Sequence, residues 1–331
     1  MVISKTPFRM SFFGGGTDYP VWYREHPGAV LSTTIDKCCF ITIRHLPPFF
    51  DYKYRVRYTH REETQTIEQI QHPSVRRCLE FLNGDGYFDE GLEILHHSDL
   101  PASTGLGTSS AFTVGLLHAL YALKGRIVSK RQLFQDAIYV EQELIEESVG
   151  SQDQVAAACG GFNKISFGDT IVVEPVTLHA GRLRQLQDCL LLFFTGFSRI
   201  ASEVAKVQIQ KTPEKKPELS KMYQLVEDAE KILASDCELI EFGKLLHETW
   251  LLKRSLTDKI SNSHIDSIYE TALQAGAVGG KLLGAGSGGC MLFYVPQDRQ
   301  DSVKKALGDL LLIPFAFEKQ GSEIIYYDPI N

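Results

Sequence analysis

Between Leu100 and Ala111 the chain reads Leu-Pro-Ala-Ser-Thr-Gly-Leu-Gly-Thr-Ser-Ser-Ala. Gly105 and Gly107 bracket Leu106, with hydroxyls at Ser103, Thr104, Thr108, Ser109 and Ser110 around them. Glycines let backbone come close to a ligand. A predicted strand precedes this loop, and the residues after it, Phe112 to Leu123, are apolar nearly all round, which predicts a buried helix. A glycine- and hydroxyl-rich loop opening a buried helix offers free N–H groups and a positive dipole end, which suits phosphate. An ordinary strand-to-helix turn with Ser and Thr caps has the same composition, so the residues alone leave both readings open.

Two further loops carry similar information. Gly279 to Gly289 holds six glycines in eleven residues, among them Gly284 and Gly286 beside Ser287, and feeds an apolar strand. So much glycine costs folding entropy, which favours a backbone wall close to a ligand over a mobile turn. Near the amino terminus, Arg9 and Ser11 share one face of a predicted strand by alternation. Gly14, Gly15 and Gly16 then bring the chain round to Thr17 and Asp18. A strand, a turn and an Asx cap account for this stretch equally well.

Two acids stand out by position. On a predicted helix Ser129–Glu147, Glu141 has Ala137, Ile138, Leu144 and Ile145 as its helical neighbours and so projects from the apolar face. A buried carboxylate must be paired, protonated or bound to a cation. Asp153 lies between Gln152 and Gln154, where Ser151 and Gln154 have capping-box spacing, and a first-turn acid complementing the helix dipole is its plain reading.

Composition narrows the classes. The 331 residues are 44% hydrophobic and 23% charged, as in ordinary globular proteins, and form one large unit or two packed lobes. A net charge of −7 argues against nucleic acid or an anionic membrane as the main partner. The seven cysteines are odd in number and lack a C-x-x-C, so they read as core residues in a reducing compartment. The start of the chain has no signal-peptide pattern and no run approaches a membrane span, which leads to the expectation of a cytoplasmic protein. A P-loop is excluded because Ala275 stands where its first glycine belongs and Leu282 follows Gly280-Lys281. A dinucleotide fingerprint needs a full G-x-G-x-x-G between strand and helix, and neither glycine cluster meets that requirement.

The elements that must position these residues read as mixed α+β. Strands are predicted at Lys5–Phe13, Ala29–Arg44, Tyr54–Tyr58, Leu92–His97, Phe162–Phe167, Ile171–Pro175 and Leu190–Thr195. Helices are predicted at Thr66–Leu82, Ser109–Leu123, Ser129–Glu147 and Ser151–Cys159. Lys211–Glu218, with two prolines and five charges of mixed sign around them, reads as an exposed linker. Helices at about 219–234, 238–253 and 264–275 and strands at 278–283, 290–295, 312–317 and 323–327 follow. The halves are expected to meet near 180–200, giving an amino-terminal lobe 1–185 and a carboxy-terminal lobe 186–331.

Taken together, these stretches resemble the three motifs of the GHMP kinases in the right order and over nearly the whole chain. The motifs appear as Thr6-Pro-Phe-Arg9 with Gly14–Tyr19, as Pro101–Ala111, and as Gly279–Gly289. The resemblance implies a two-lobed α+β fold, with a mixed amino-terminal lobe, a ferredoxin-like carboxy-terminal lobe and the active site between them. It implies that Ser103, Gly105, Leu106, Gly107, Thr108, Ser109 and Ser110 cradle ATP, and that Ser110 and Glu141 hold Mg²⁺. Asp153 is implied as the candidate base, with Arg9 neutralising charge beside it. Thr108 replaces the serine usual in the second motif and keeps the hydroxyl.

Within the family the chain most resembles bacterial D-glycero-D-manno-heptose 7-phosphate kinases, through Arg9–Asp18 and Gln152–Gln154. Galactokinases carry Gly-Glu-His-Thr-Asp where this chain has Gly14 to Asp18, and the lost side chains open space for a longer, phosphorylated sugar. The expected reaction is transfer of the γ-phosphate of ATP to an anomeric hydroxyl, with no nucleic-acid or membrane partner, in a monomer or homodimer. Kinases of unphosphorylated fucose, galactose or a uronic acid are the alternative, followed by a same-fold decarboxylase and a non-catalytic sugar sensor. Gly15, Gly16, Thr17, Asp18, Gly284, Gly286 and Ser287 are the candidate sugar contacts. For the far phosphate Arg199 is favoured over Lys253 and Arg254, because it follows a strand in a loop opening a predicted helix.

Overall fold

The structure, a computed structural model, describes residues 1–196 and 201–328. Two long strands form its spine. Val2–Phe13 (β1) pairs antiparallel with Gly28–His45 (β2), and the short helix Pro20–Tyr23 (α1) fills their connection. Tyr54–Arg57 (β3), Arg61–Thr64 (β4), the helix Pro73–Leu82 (α2) and Leu92–Ser98 (β5) follow. Next come the helices Thr108–Leu123 (α3), Lys130–Tyr139 (α4) and Gln152–Cys159 (α5). Phe162–Phe167 (β6), Val172–Pro175 (β7) and the helix Ala180–Asp188 (α6) complete the first half. The apolar helix α3 packs on β1 and β2, where Gly115 lets Ser4 Oγ donate to its carbonyl at 2.8 Å.

The second sheet opens with Leu190–Phe194 (β8). Four helices follow: Ala201–Lys211 (α7), Lys216–Ala234 (α8), Ile240–Leu256 (α9) and Ser263–Gln274 (α10). Gly279–Leu282 (β9), Cys290–Tyr294 (β10), the helix Gln300–Ala306 (α11) and Leu311–Leu312 (β11) close the lobe. The strand order β11-β8-β10-β9, antiparallel throughout, is that of a split βαβ, or ferredoxin-like, unit.

The chain then returns to the first sheet. Phe317–Glu318 (β12) pairs with β2 and Glu323–Tyr327 (β13) pairs with β1, which makes that sheet nine-stranded among the described residues. A cut at 185/186 therefore leaves two carboxy-terminal strands on the amino-terminal sheet. The largest core runs through both halves and includes Phe12, Phe13, Leu192, Val226, Phe242 and Leu292.

Several sequence expectations need correction, and proline explains most of them. The helix expected over Thr66–Leu82 begins only at Pro73, because a residue before proline is driven out of the helical region. His72 instead caps it, accepting from Val75 N at 3.4 Å, and upstream only Ile67–Gln69 forms a 3₁₀ turn. The expected linker Lys211–Glu218 is no linker. Thr212 is buried and donates to Gln208 O at 2.9 Å, and Pro217 lies in the first turn of α8, where its missing N–H costs nothing. The single strand expected at 312–317 is split between the two sheets around Pro314.

The helix expected through Glu147 stops at Tyr139. A π turn over Val140–Leu144 follows, with Ile145 N bonded to Val140 O at 2.9 Å. The cysteines are unpaired, most of them wholly or partly buried, but Cys237 is exposed. Among the described residues, no helix is long and apolar enough to cross a membrane.

Candidate active site

The three loops meet at one end of a cleft of about 1160 Å³. Their contact is backbone on backbone. A Cβ on Gly284, whose φ is +76°, would lie 2.5 Å from Gly105 Cα. Cys290 N donates to Thr104 O at 2.8 Å, and Arg9 N donates to Leu106 O at 3.0 Å. Lys281 Nζ reaches across to Phe12 O at 2.9 Å and ties the third loop to the strand that feeds Gly14–Gly16. Loops joined by contacts across as many as 269 residues of chain thus form one wall.

Arg9 and Asp153 are joined in a fork. Arg9 Nε and Nη2 donate to the two Asp153 oxygens at 2.7 and 2.8 Å, and Nη1 donates to Gly105 O at 2.7 Å. Alternation along β1 aims Arg9 at the loop, and the α5 amino terminus presents Asp153 to it. Gly107 keeps the space open, since a Cβ there would sit 3.1 Å from Arg9 Cγ and 3.4 Å from Asp153 Cγ. A bidentate guanidinium–carboxylate pair holds both groups in a fixed plane.

Glu141 lies behind Ser110 and is fully buried. Its Oε2 accepts from Ser110 Oγ at 2.8 Å and from Gln154 Nε2, while Oε1 has no partner. Burial, with Glu147 nearby, pushes its carboxyl up to about 7. An orphaned carboxylate oxygen next to a hydroxyl is a hard-oxygen donor set that fits Mg²⁺, which keeps several waters and binds protein through one or two such groups. Among the described residues no cluster of three or more His, Cys, Asp or Glu could hold a metal, so any ion here would also use ligand oxygens.

The raised Glu141 carboxyl gives a stability prediction with a definite sign. Between the ordinary value of 4.5 and about 7 the folded protein keeps a proton that the unfolded chain releases, so stability falls as pH rises through that window. Glu141→Gln removes the effect. Chemical denaturation without metal should show the variant equal to wild type near pH 4 and more stable by on the order of 3 kcal/mol near pH 8. Parallel stability curves from pH 4 to 8 would show that Glu141 is not held in this way.

Asp18 is buried, with Oδ1 accepting from Gly16 N at 2.8 Å and Oδ2 from Gln152 Nε2 at 2.9 Å. Burial raises its carboxyl above the usual range. Gly15, Gly16 and Asp18 line the cleft, as do Ser103, Gly105, Gly107, Thr108, Ser109, Ser110 and Gly284. Glu141, behind Ser110, and four more of the sequence candidates do not. Leu106 is core, Thr17 donates to Gly14 O and Ala29 O, and Gly286 packs on Ile260. Ser287 turns its N–H to Ile260 O at 2.8 Å. Arg254 is also removed, bound to Asp266 at 3.1 Å. Arg199 lies outside the described residues.

Sequence reasoning missed part of the lining. Phe112 stacks on His72 at 4.6 Å and meets His96 edge-on at 5.0 Å, and Tyr58 closes the group against His72 at 4.7 Å. Burial pushes His72 below the usual histidine value and His96 down to about 4, so this aromatic wall is uncharged at neutral pH. Its members come from separate elements, and no local spacing reveals them. Ser11 Oγ and Gln152 Oε1 are also buried without partners beside the cleft. The strand alternation put Ser11 on the same face as Arg9 but gave it no role.

Comparison with known proteins agrees with this geometry. Residues 74–161 match the GHMP kinases N terminal domain, and residues 229–311 match the GHMP kinases C terminal domain. A D-glycero-alpha-D-manno-heptose 7-phosphate kinase of Campylobacter jejuni is 28% identical over 96% of this chain and 97% of its own. A galactokinase of Pyrococcus furiosus is 26% identical, covering 93% of this chain and 92% of its own. The crystal structure of a D-glycero-D-manno-heptose 1-phosphate kinase from Bacteroides thetaiotaomicron superposes with a TM-score of 0.75 at 24% identity, covering 99% of this chain and all of that one.

Proposed function

The chain belongs to the GHMP kinases and is a phosphotransferase acting on a hydroxyl group, and from that premise we propose that it uses ATP to phosphorylate the anomeric hydroxyl of D-glycero-D-manno-heptose 7-phosphate. The observation that carries the reading is the Arg9–Asp153 fork set against Gly105, where the phosphate loop meets the third glycine loop. The similarity to a heptose 7-phosphate kinase over both full lengths supports the choice of sugar. The cleft exceeds the usual volume for one small ligand and has room for two.

In this reading the triphosphate lies along Ser103–Ser110, at the amino terminus of α3, and the base lies on the wall of Tyr58, His72, His96 and Phe112. Ser110 and Glu141 would hold Mg²⁺, which when bound offsets charge on the phosphate oxygens. The sugar sits against Gly15, Gly16 and Asp18. Asp153 keeps lone pairs that Arg9 does not use, and one of them orients the anomeric O–H. The sugar oxygen bonds to the γ-phosphorus, the bond to ADP breaks, and the hydroxyl proton leaves to Asp153 or to water. An anomeric hydroxyl is more acidic than an ordinary alcohol, so alignment supplies much of the rate. Arg199 is kept as the proposed partner of the 7-phosphate.

A coupled ADP-release screen over free sugars and their terminal phosphates tests the substrate class. The heptose 7-phosphate should give the highest kcat/KM. A preference for unphosphorylated fucose, galactose or a uronic acid would reverse the assignment.

A further inference from the structure

We propose that Lys253, not Arg9, supplies the positive charge that contacts the phosphoryl group during transfer; this rests on the kinase reading above. Each nitrogen of Arg9 has a partner, two on Asp153 and one on Gly105 O, and the Asp153 carboxylate already offsets its charge. Its guanidinium is thereby fixed as the holder of Asp153. Lys253 is differently placed. It lies on the last turns of α9, is 95% buried and lines the cleft. Its ammonium donates to Leu282 O at 3.3 Å and to Gly284 O, and Gly284 is the residue that abuts Gly105. Two carbonyls thus hold the ammonium at the seam between the phosphate loop and the third glycine loop. No carboxylate lies within ion-pair distance of it among the described residues.

A buried ammonium without a carboxylate partner is costly, and an anion entering the cleft would offset that cost. The surrounding charges are consistent. Arg9 on β1 and Lys281 on β9 oppose its charge, while Asp18 and Asp153 favour it. Helix α7 presents Glu203 and Lys206 to the same cleft, whereas α8 and β10, which also pack on α9, place no charged residue there. Burial together with Arg9 brings the Lys253 ammonium down to about 8. A dianionic phosphoryl group at this seam would drive it back to the charged form.

The test combines kinetics with proton counting. Titration of Mg·AMPPNP into the protein at pH 8.5, in buffers of different ionisation enthalpy, should show uptake of a large fraction of a proton by wild type. Lys253→Met and Lys253→Arg should show none, because methionine cannot titrate and arginine stays charged. Mg·ADP should elicit little uptake in any of the three. In turnover, Lys253→Met should lower kcat by about 10²-fold with the sugar KM nearly unchanged. Lys253→Arg should recover part of the rate and lose the alkaline decline near pH 8. Equal proton uptake in wild type and Lys253→Met, or a kcat for that variant within threefold of wild type, would overturn the proposal. If wild type phosphorylates no sugar, the kinase reading fails, and the proton-uptake arm still decides whether Lys253 meets the terminal phosphate.

Discussion

Replacing Asp153 with asparagine lowers kcat by at least about 10²-fold while the protein remains folded. The substitution is nearly isosteric, so its effect is electrical. Asparagine keeps one oxygen for Arg9 and turns an N–H₂ towards the other guanidinium nitrogen, where donor faces donor. In the proposed reading the anomeric hydroxyl loses its proton acceptor at the same time, because an amide oxygen is not basic. Arg9 is only 5% exposed, so the guanidinium left without its carboxylate costs some stability, while its bond to Gly105 O and the partial exposure of residue 153 keep that cost short of unfolding. The ATP KM should move little, because the fork bears on the transfer step and not on the triphosphate cradle. A variant with kcat within threefold of wild type would remove Asp153 from the mechanism. A variant with a strongly lowered Tm would recast the fork as structural.

The second large effect is expected at the seam between the loops. Gly284→Ala places a methyl group 2.5 Å from Gly105 Cα at a φ of +76°. Neither problem can be solved by a rotamer change, because both the strained residue and the clashing atom are backbone. A left-handed non-glycine residue costs about 1–2 kcal/mol, and overpacking adds about 1–3 kcal/mol. The two glycine loops must separate, which displaces the carbonyl that holds Lys253 and the one that holds Arg9. Activity should fall by more than about 10²-fold, with a raised ATP KM and a lowered Tm. Gly84→Ala is the control, since a Cβ there meets nothing within 4 Å. It should leave activity and the ATP KM unchanged and stability within about 0.5 kcal/mol of wild type. If Gly284→Ala behaves like Gly84→Ala, the close approach of the loops has no bearing on function.

The parts of the site that were legible in the sequence are those written in local composition. The run from Ser103 to Ser110 lines the cleft, and it was legible as a candidate because glycine, hydroxyl and helix start are contiguous. Glu141 announces itself because an acid on an apolar helical face has few explanations, and it is indeed fully buried. What was not legible depends on distance along the chain. Arg9 and Asp153 are 144 positions apart, and nothing local says that their side chains interlock. Lys253 has the spacing of a helix-dipole cation, and only the packing of the glycine loop over α9 shows that it is buried in the cleft. The return of β12 and β13 to the first sheet was invisible for a similar reason. A strand's partner is set by tertiary pairing, although Pro314 marks where the chain leaves the second sheet. Thr17 and Ser287 look like ligand contacts in a motif, yet one is consumed by backbone carbonyls and the other packs on Ile260.

The most direct test of the central claim is ³¹P NMR of the product formed by the wild-type protein from Mg·ATP and D-glycero-D-manno-heptose 7-phosphate. The account predicts one ADP per sugar, an unchanged 7-phosphate resonance, and a new phosphomonoester whose phosphorus couples to the anomeric proton. Phosphate on any other hydroxyl, or ATP left unconsumed in the presence of this sugar, would contradict it.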